Sequence, residues 1–509
     1  MQFVAVKQTW HILQHIFLYM YANSSTFAAS KIKTTNNTMK NSVLFILTIL
    51  LISMTACVNQ PAHHPTDEPF RSVYHHSPAQ NWMNDPNGMF YDDATQLWHL
   101  YYQHNPFGTT WGPMHWAHAT SADLIHWEQH PIALAPDSLG TIFSGSIVID
   151  RNNTAGFGEN AIVAIYTQSE ICGQHQSIAY SLDGGMTFTK YEANPVLMGD
   201  IADFRDPKVF WDEQTNRWMM ILACQREVRF YSSANLREWN YESSFGANYG
   251  EHGGVWECPD LVQLGDKWVL LLNINPGGPF GGSATQYFVG NWNGKTFTCI
   301  DDPSETKWLD YGKDHYATVT WHNAPDNRVV AIGWMSNWQY ANNVPTVAFR
   351  SQNTIARELS LYTDDAGEYR VRVVPSPESI AIKGQPTKKL GDIAIVELEM
   401  SSKETGVITL SNDKGENVIM TLNVYKHTFT MDRTESGDCS FSADFTGATT
   451  TPLFVKQDTY KVILFIDHCS IEAFDANGYW AMTNLVFPTK PYNHINVQGG
   501  KATIYDVNI

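Results

Sequence analysis

Positive charge is scarce: 33 Lys and Arg stand against 51 Asp and Glu in 509 residues, a formal net charge of −18. A polyanion binder needs clustered basic groups to displace counterions, so nucleic acid and anionic lipid surfaces are poor partners, whereas a neutral sugar carries no such requirement. Cysteine is sparse as well. Seven residues are spread over the whole chain and none falls in a C-x-x-C pair, which argues against a disulfide scaffold and against zinc or thioredoxin-like chemistry. Charged residues of both signs make up only 17%, yet no long part reads as disordered. From residue 70 onward a sustained 3.6-residue periodicity is also missing, which points away from long helices.

Aromatics are plentiful, at 13% with 17 Trp and 23 Tyr, as suits a β-rich protein with aromatic-lined clefts. The length predicts two globular units behind a targeting segment. Lys40 precedes an apolar run, Val43 to Ile52, broken only by Thr48 and followed by Ser53-Met54-Thr55-Ala56-Cys57. This reads as a signal peptide, since the run is too short for an ordinary membrane span. The small residues before Cys57 resemble a bacterial lipobox, which implies a lipoprotein acylated on Cys57 and bound to the membrane only through that anchor, in the periplasm or at the cell surface. Residues 1–57 are thus expected to be an upstream extension to residue 38 plus a lipoprotein signal beginning at Met39. The other reading makes Met1 the start and Trp10 to Tyr21 a separate export element. Residues 58–69 read as a tether.

The remainder reads as all-β. Short runs such as Leu97 to Tyr102, Ile162 to Tyr166 and Trp268 to Leu272 are separated by Gly, Asn, Asp and Pro clusters. A weak repeat, Ser121-Ala122-Asp123-Leu124-Ile125-His126-Trp127, is echoed at Ser233 to Trp239 and more loosely at Ser181 to Phe188, as expected for a turn into an outer strand. Asp85, Ser144, Asp206, Glu257 and Asp314 each sit near the start of a strand-like run, at intervals of 59, 62, 51 and 57 residues. Five such units predict a five-bladed β-propeller over residues 70–361, with these positions converging on one axial mouth. Alternating strands over residues 376–509 predict a C-terminal β-sandwich.

Three segments carry chemistry: Asn81-Trp82-Met83-Asn84-Asp85-Pro86-Asn87-Gly88, Phe204-Arg205-Asp206-Pro207 and Trp256-Glu257-Cys258-Pro259-Asp260. Together they resemble glycoside hydrolase family 32, the invertases, levanases and inulinases, across roughly residues 70 to 509. The resemblance implies retaining hydrolysis of β-fructofuranosidic bonds in levan, inulin or sucrose, with a carbohydrate as partner and no cofactor or metal. By motif match Asp85 is the nucleophile, Glu257 the acid/base and Asp206 the acid that binds fructosyl hydroxyls. Arg205 orients these carboxylates, and Asn84, Gln103, Trp111, Phe143 and Ser144 line the same subsite. The chemistry fits, because an oxocarbenium-like transition state needs a carboxylate on one side and an acid at the leaving group. Amides of the Asn87-Gly88 turn are expected to favour ionised Asp85, and Trp256 and Cys258, with Asp85 nearby, to raise the pKa of Glu257.

In Gly333-Trp334-Met335-Ser336-Asn337-Trp338-Gln339-Tyr340 the aromatics offer a sugar-stacking wall, with Trp338 the best placed and Trp334 open to the alternative of blade packing. His115 and His118, and the adjacent His75-His76, lack the matched carboxylates of a metal centre. Fructosyl transfer through the same covalent intermediate, a binding-only lipoprotein with a disabled site and an inverting arabinan-type hydrolase are the competing readings. The three intact acids argue against the binding-only reading and the retaining-type motifs against the inverting one, while transfer differs from hydrolysis only in whether a sugar hydroxyl or water reaches the intermediate.

Overall fold

The computed structural model describes residues 68–171 and 173–509, and the expectations for the signal, Cys57 and most of the tether lie outside them. The regular structure of the described residues is almost entirely β-strand, with a five-residue α-helix at Pro377–Ala381.

Five successive sheets follow one another in the chain, each begun by an inner strand: Asn81–Asp92, Thr141–Asp150, Phe204–Asp212, Val255–Leu264 and Tyr316–Thr320. Each inner strand touches the next, and the fifth touches the first, so the ring is closed. Closure is tied by Phe349–Arg350, a short strand that follows the fifth inner strand in sequence yet pairs in parallel with Asn81 and Trp82 of the first sheet. This is the five-bladed β-propeller that the spacing predicts.

The weak repeat is a structural turn. Asp123 Oδ1 accepts the N–H groups of Ile125 and His126 (3.0 and 2.8 Å), and Asn235 Oδ1 accepts those of Arg237 and Glu238 (3.1 and 3.0 Å). In both, the intervening Leu is buried at positive φ, 60° for Leu124 and 61° for Leu236. A short acceptor at that position offsets the strain by satisfying two turn amides.

All five inner strands break register with their neighbours near the mouth, between Met83 and Pro86, Ile142 and Gly145, Arg205 and Lys208, Glu257 and Asp260, and Tyr316 and Val319. A bulge inserts an extra residue and re-aims the side chains beside it. Five bulges at one level turn what would be alternating faces into a ring of polar groups around the axis.

The fifth sheet continues past residue 361, because Arg357–Thr363 pairs with Tyr369–Pro375 as its outer strand. The expected end of the repeat at Leu361 therefore cuts through a hairpin, which the Asp/Gly turn between the strands concealed. Beyond it lies a sandwich of a six-stranded and a five-stranded sheet. Its core holds Leu398, Met400, Ile408, Met420, Phe429 and Trp480. The other face of the six-stranded sheet packs Ile395, Phe465 and Phe474 against Leu271, Tyr287, Leu359 and Val373 of the last two blades.

That seam also carries buried charge. His75 bridges Asp467 and Glu472, at 2.8 Å each, and Arg357 joins Glu472 to Asp310. Burial alone would lower the His75 pKa, but hydrogen bonds to the two carboxylates overcome it and hold it at about 9.

Candidate active site

At the mouth the inner strands enclose a cleft of about 330 Å³, near the lower end of the roughly 300 to 1,000 Å³ usual for small-molecule sites. Beneath it the axis is nearly filled. Pro86, Ser146, Pro207, Pro259 and Thr320 leave about 20 Å³, and Lys208 Nζ donates to Asp260 Oδ2 and to the Thr320 carbonyl (2.8 and 2.9 Å). The cleft is therefore blind.

Four acids line it: Asp85, Asp206 and Glu257, one from each of three blades, and Asp203 beside Arg205. Ser144 on the second blade donates its hydroxyl to Asp85 Oδ2 at 2.6 Å, while Asp85 Oδ1 and Gln103 Nε2 have no protein partner. Cys258 stands between the acids. Its N–H donates to Asp206 Oδ2 at 2.9 Å, and its thiol lies 3.6 Å from both Asp206 Oδ2 and Asp85 Oδ2. Glu257 is held on both oxygens, by Arg205 Nη2 on Oε1 at 2.9 Å and by the Tyr316 hydroxyl on Oε2. Arg205 also donates to Asp203 Oδ1 at 2.6 Å and to Gln174 Oε1 at 3.3 Å.

Burial pushes the Asp85 carboxyl up, opposed by the Ser144 hydrogen bond and reinforced by the charge of Glu257. Asp206 is pushed up to about 7 by burial, against the pull of Arg205 and with the charges of Glu257 and Asp85 adding to it. Asp206, buried beside the charges of Glu257 and Asp85 with a single guanidinium in contact, thus holds its proton far more readily than a free carboxyl group.

Every residue that the resemblance assigns to the subsite lines this cleft, Asn84, Gln103, Trp111, Phe143, Ser144 and Arg205, along with the three acids, and so does Trp338 of the expected aromatic wall. Trp338 is partly exposed and is backed by Trp82, with ring centres 5.7 Å apart, and by Trp334 at 4.8 Å. Trp334 and Tyr340 are buried instead of forming a wall with it.

Other expectations need correction. Ser144 and Cys258, not the Asn87-Gly88 amides, reach the Asp85 carboxylate; the Asn87 side chain instead donates to the Asp85 carbonyl (3.1 Å) and accepts the Gly145 N–H (3.2 Å). Trp256 turns away from Glu257, its indole N–H donating to the Glu251 carbonyl at 2.8 Å within the core of its blade. Asp314 does not reach the mouth. It is buried against Arg433, Tyr340 and the Leu485 amide of the sandwich, and Tyr316, two residues on, supplies the fifth blade's group.

His115 Nδ1 meets the Pro113 carbonyl at 2.8 Å, while His118 stacks on Tyr101, so this pair does not converge. Motif reading missed Tyr316, Asp203, Gln174, Met114 and Asn275, although the last four line the cleft. The usable signal for Tyr316 was its place on the fifth inner strand.

Comparison with known proteins gives matches over nearly all the described residues. The model described as glycosyl hydrolases family 32 N-terminal domain matches residues 75–372, and the one described as glycosyl hydrolases family 32 C terminal matches residues 368–509. A levanase from Bacillus subtilis is 42% identical, over 88% of this chain and 71% of its own. An extracellular exo-inulinase from Aspergillus awamori is 37% identical, over 87% of this chain and 94% of its own. The structure of a fructofuranosidase from Schwanniomyces occidentalis complexed with fructose superposes with a TM-score of 0.79 at 34% identity, covering 88% of this chain and all of the other.

Proposed function

The chain belongs to glycosyl hydrolase family 32 and hydrolyses β-fructofuranosidic bonds of fructans or sucrose, and within that activity we propose that Asp85, Glu257 and Asp206 carry the reaction. The carrying observation is the convergence of these three acids on one blind cleft, with Asp85 Oδ2 held by Ser144 and Oδ1 unpartnered.

In this reading Asp85 Oδ1 attacks the anomeric carbon as the bond to the leaving oxygen breaks, and Glu257 passes its proton to that oxygen. Water then attacks the fructosyl ester, Glu257 takes the proton from the water, and Asp85 departs as a carboxylate, so configuration is retained. The Tyr316 hydroxyl suits a group that alternates between acid and base, because a hydroxyl accepts from a protonated Oε2 as readily as it donates to a carboxylate. Asp206 receives hydroxyls of the fructosyl ring. Arg205, bound to both Glu257 and Asp203, fixes the acid/base where the leaving oxygen emerges. Trp338 and Trp111 give apolar faces for the sugar.

Replacing Asp85 by Asn preserves shape but removes the nucleophile. We expect a folded protein that binds substrate and loses at least about a thousandfold in kcat; activity within roughly tenfold of wild type would refute the assignment.

The extracellular relative supports export, and we further propose that Cys57 carries the lipid that tethers the enzyme to the envelope.

A further inference from the structure

Deepening the catalytic reading, we propose that Asn273 is a positioning residue: one buried amide that ties together the two bulges presenting Cys258 and Tyr316 to the three acids. Asn273 is fully buried on the strand Lys267–Asn275 and lies outside the cleft lining.

Its Nδ2 donates to the Cys258 carbonyl at 2.9 Å. Its Oδ1 accepts the Thr285 hydroxyl at 2.6 Å and the Thr318 N–H at 3.2 Å. The first bond holds the bulge of the fourth inner strand, and the last holds that of the fifth.

Both anchored points need holding. Cys258 has φ of 43° and Ala317, immediately before Thr318, has φ of 51°, a region costly for residues with a Cβ. The conformation at Cys258 aims its N–H at Asp206 and its thiol between Asp206 and Asp85, and it follows directly on Glu257. The conformation at Ala317 follows directly on Tyr316, whose hydroxyl meets Glu257. Loss of the amide therefore frees two backbone segments that between them contact all three acids.

The third blade uses the same device in another form. Asp206, at φ of 64°, donates its N–H to the Thr167 hydroxyl at 3.0 Å, and Thr167 is in turn held by Gln176 at 2.7 Å. Side chains of second and third strands thus stabilise the irregular inner strands. Thr285 plays Gln176's part for Asn273, fixing which end of the amide faces Cys258.

The test compares Asn273→Ala and Thr285→Val with wild type on a β-fructoside, reading kcat, KM, the pH dependence of kcat and thermal melting. The titratable and charged groups that face the clamped segments are Asp85, Asp206, Glu257, Cys258, Tyr316 and His315, whose ring lies 3.2 Å from the Thr318 hydroxyl, with Arg205, Asp203 and the Lys208–Asp260 pair beside them.

A displacement of about 1 Å at reacting groups is enough for a loss on the order of a hundredfold. We expect Asn273→Ala to lose about 30-fold or more in kcat, with KM within about threefold, and to move a limb of the pH profile by about half a unit or more. Thr285→Val should move the same readings in the same direction by less. A kcat within about threefold of wild type, or a loss with an unchanged pH profile, overturns the proposal. If Asn273→Ala does not fold, Thr285→Val alone decides by the same criteria. Asp85→Asn, run alongside, separates the two readings: activity there sinks the catalytic assignment, whereas an inactive Asp85→Asn beside a normal Asn273→Ala sinks this inference only.

Discussion

His75 lies at the seam of propeller and sandwich with one ring nitrogen on Asp467 and the other on Glu472. Both bonds can be donated only by the imidazolium. A pKa raised from 6.5 to about 9 means that this group contributes stability fully below pH 6.5 and loses it as pH rises through about 9. At roughly 1.4 kcal/mol per pH unit the change is about 3 kcal/mol.

Its partners run the other way. Burial would raise Asp467 and Glu472, but hydrogen bonding to His75 for the first and the charge of Arg357 for the second hold both low. Their contribution is present above pH 4.5 and is lost only in acid. Between pH 6.5 and 9.5 the seam should therefore weaken through His75.

Replacing His75 by Gln leaves two buried carboxylates with one cation fewer, at a cost of about 3 to 5 kcal/mol near pH 6. That cost should shrink by about 3 kcal/mol at pH 9.5, where wild type has lost the same proton. Urea unfolding at the two pH values measures it. In thermal melts, counting the roughly 440 described residues, the corresponding change is about 3 °C. A wild-type-to-variant difference that is the same at pH 6 and pH 9.5 would refute a charged His75.

Glu257→Gln should lower kcat by about a thousandfold or more on fructans, whose leaving group needs a proton, and far less on a fructoside with an acidic leaving group; equal losses on both count against the acid role. Cys57→Ser should release the enzyme from membrane fractions with specific activity unchanged, and retention without detergent would point to another anchor.

The resemblance carried the acids because each of its three motifs is contiguous, and contiguous residues on one strand stay together whatever the fold does. Propeller and sandwich were legible for a related reason: short runs with two-residue alternation and polar turns report local structure directly. What stayed hidden depends on pairs remote in sequence. Nothing near His75 announces Asp467 and Glu472, which lie 392 and 397 positions away. The same holds for Arg433, 119 positions from Asp314.

Asp314 shows where periodicity misleads. The beat of 57 residues from Glu257 is sound as a count of blades, but it lands two residues before the fifth inner strand begins at Tyr316, where the chain is still held by Arg433 and the Leu485 amide of the sandwich. In the fifth blade the break falls between Tyr316 and Val319, and the group that reaches Glu257 is the Tyr316 hydroxyl. A carboxylate at that level would have stood as a like charge against Glu257, whereas a phenol can give or take a hydrogen bond there. The residue type thus follows from the chemistry of the cleft, and the fifth blade contributes a phenol where a further carboxylate would stand against Glu257.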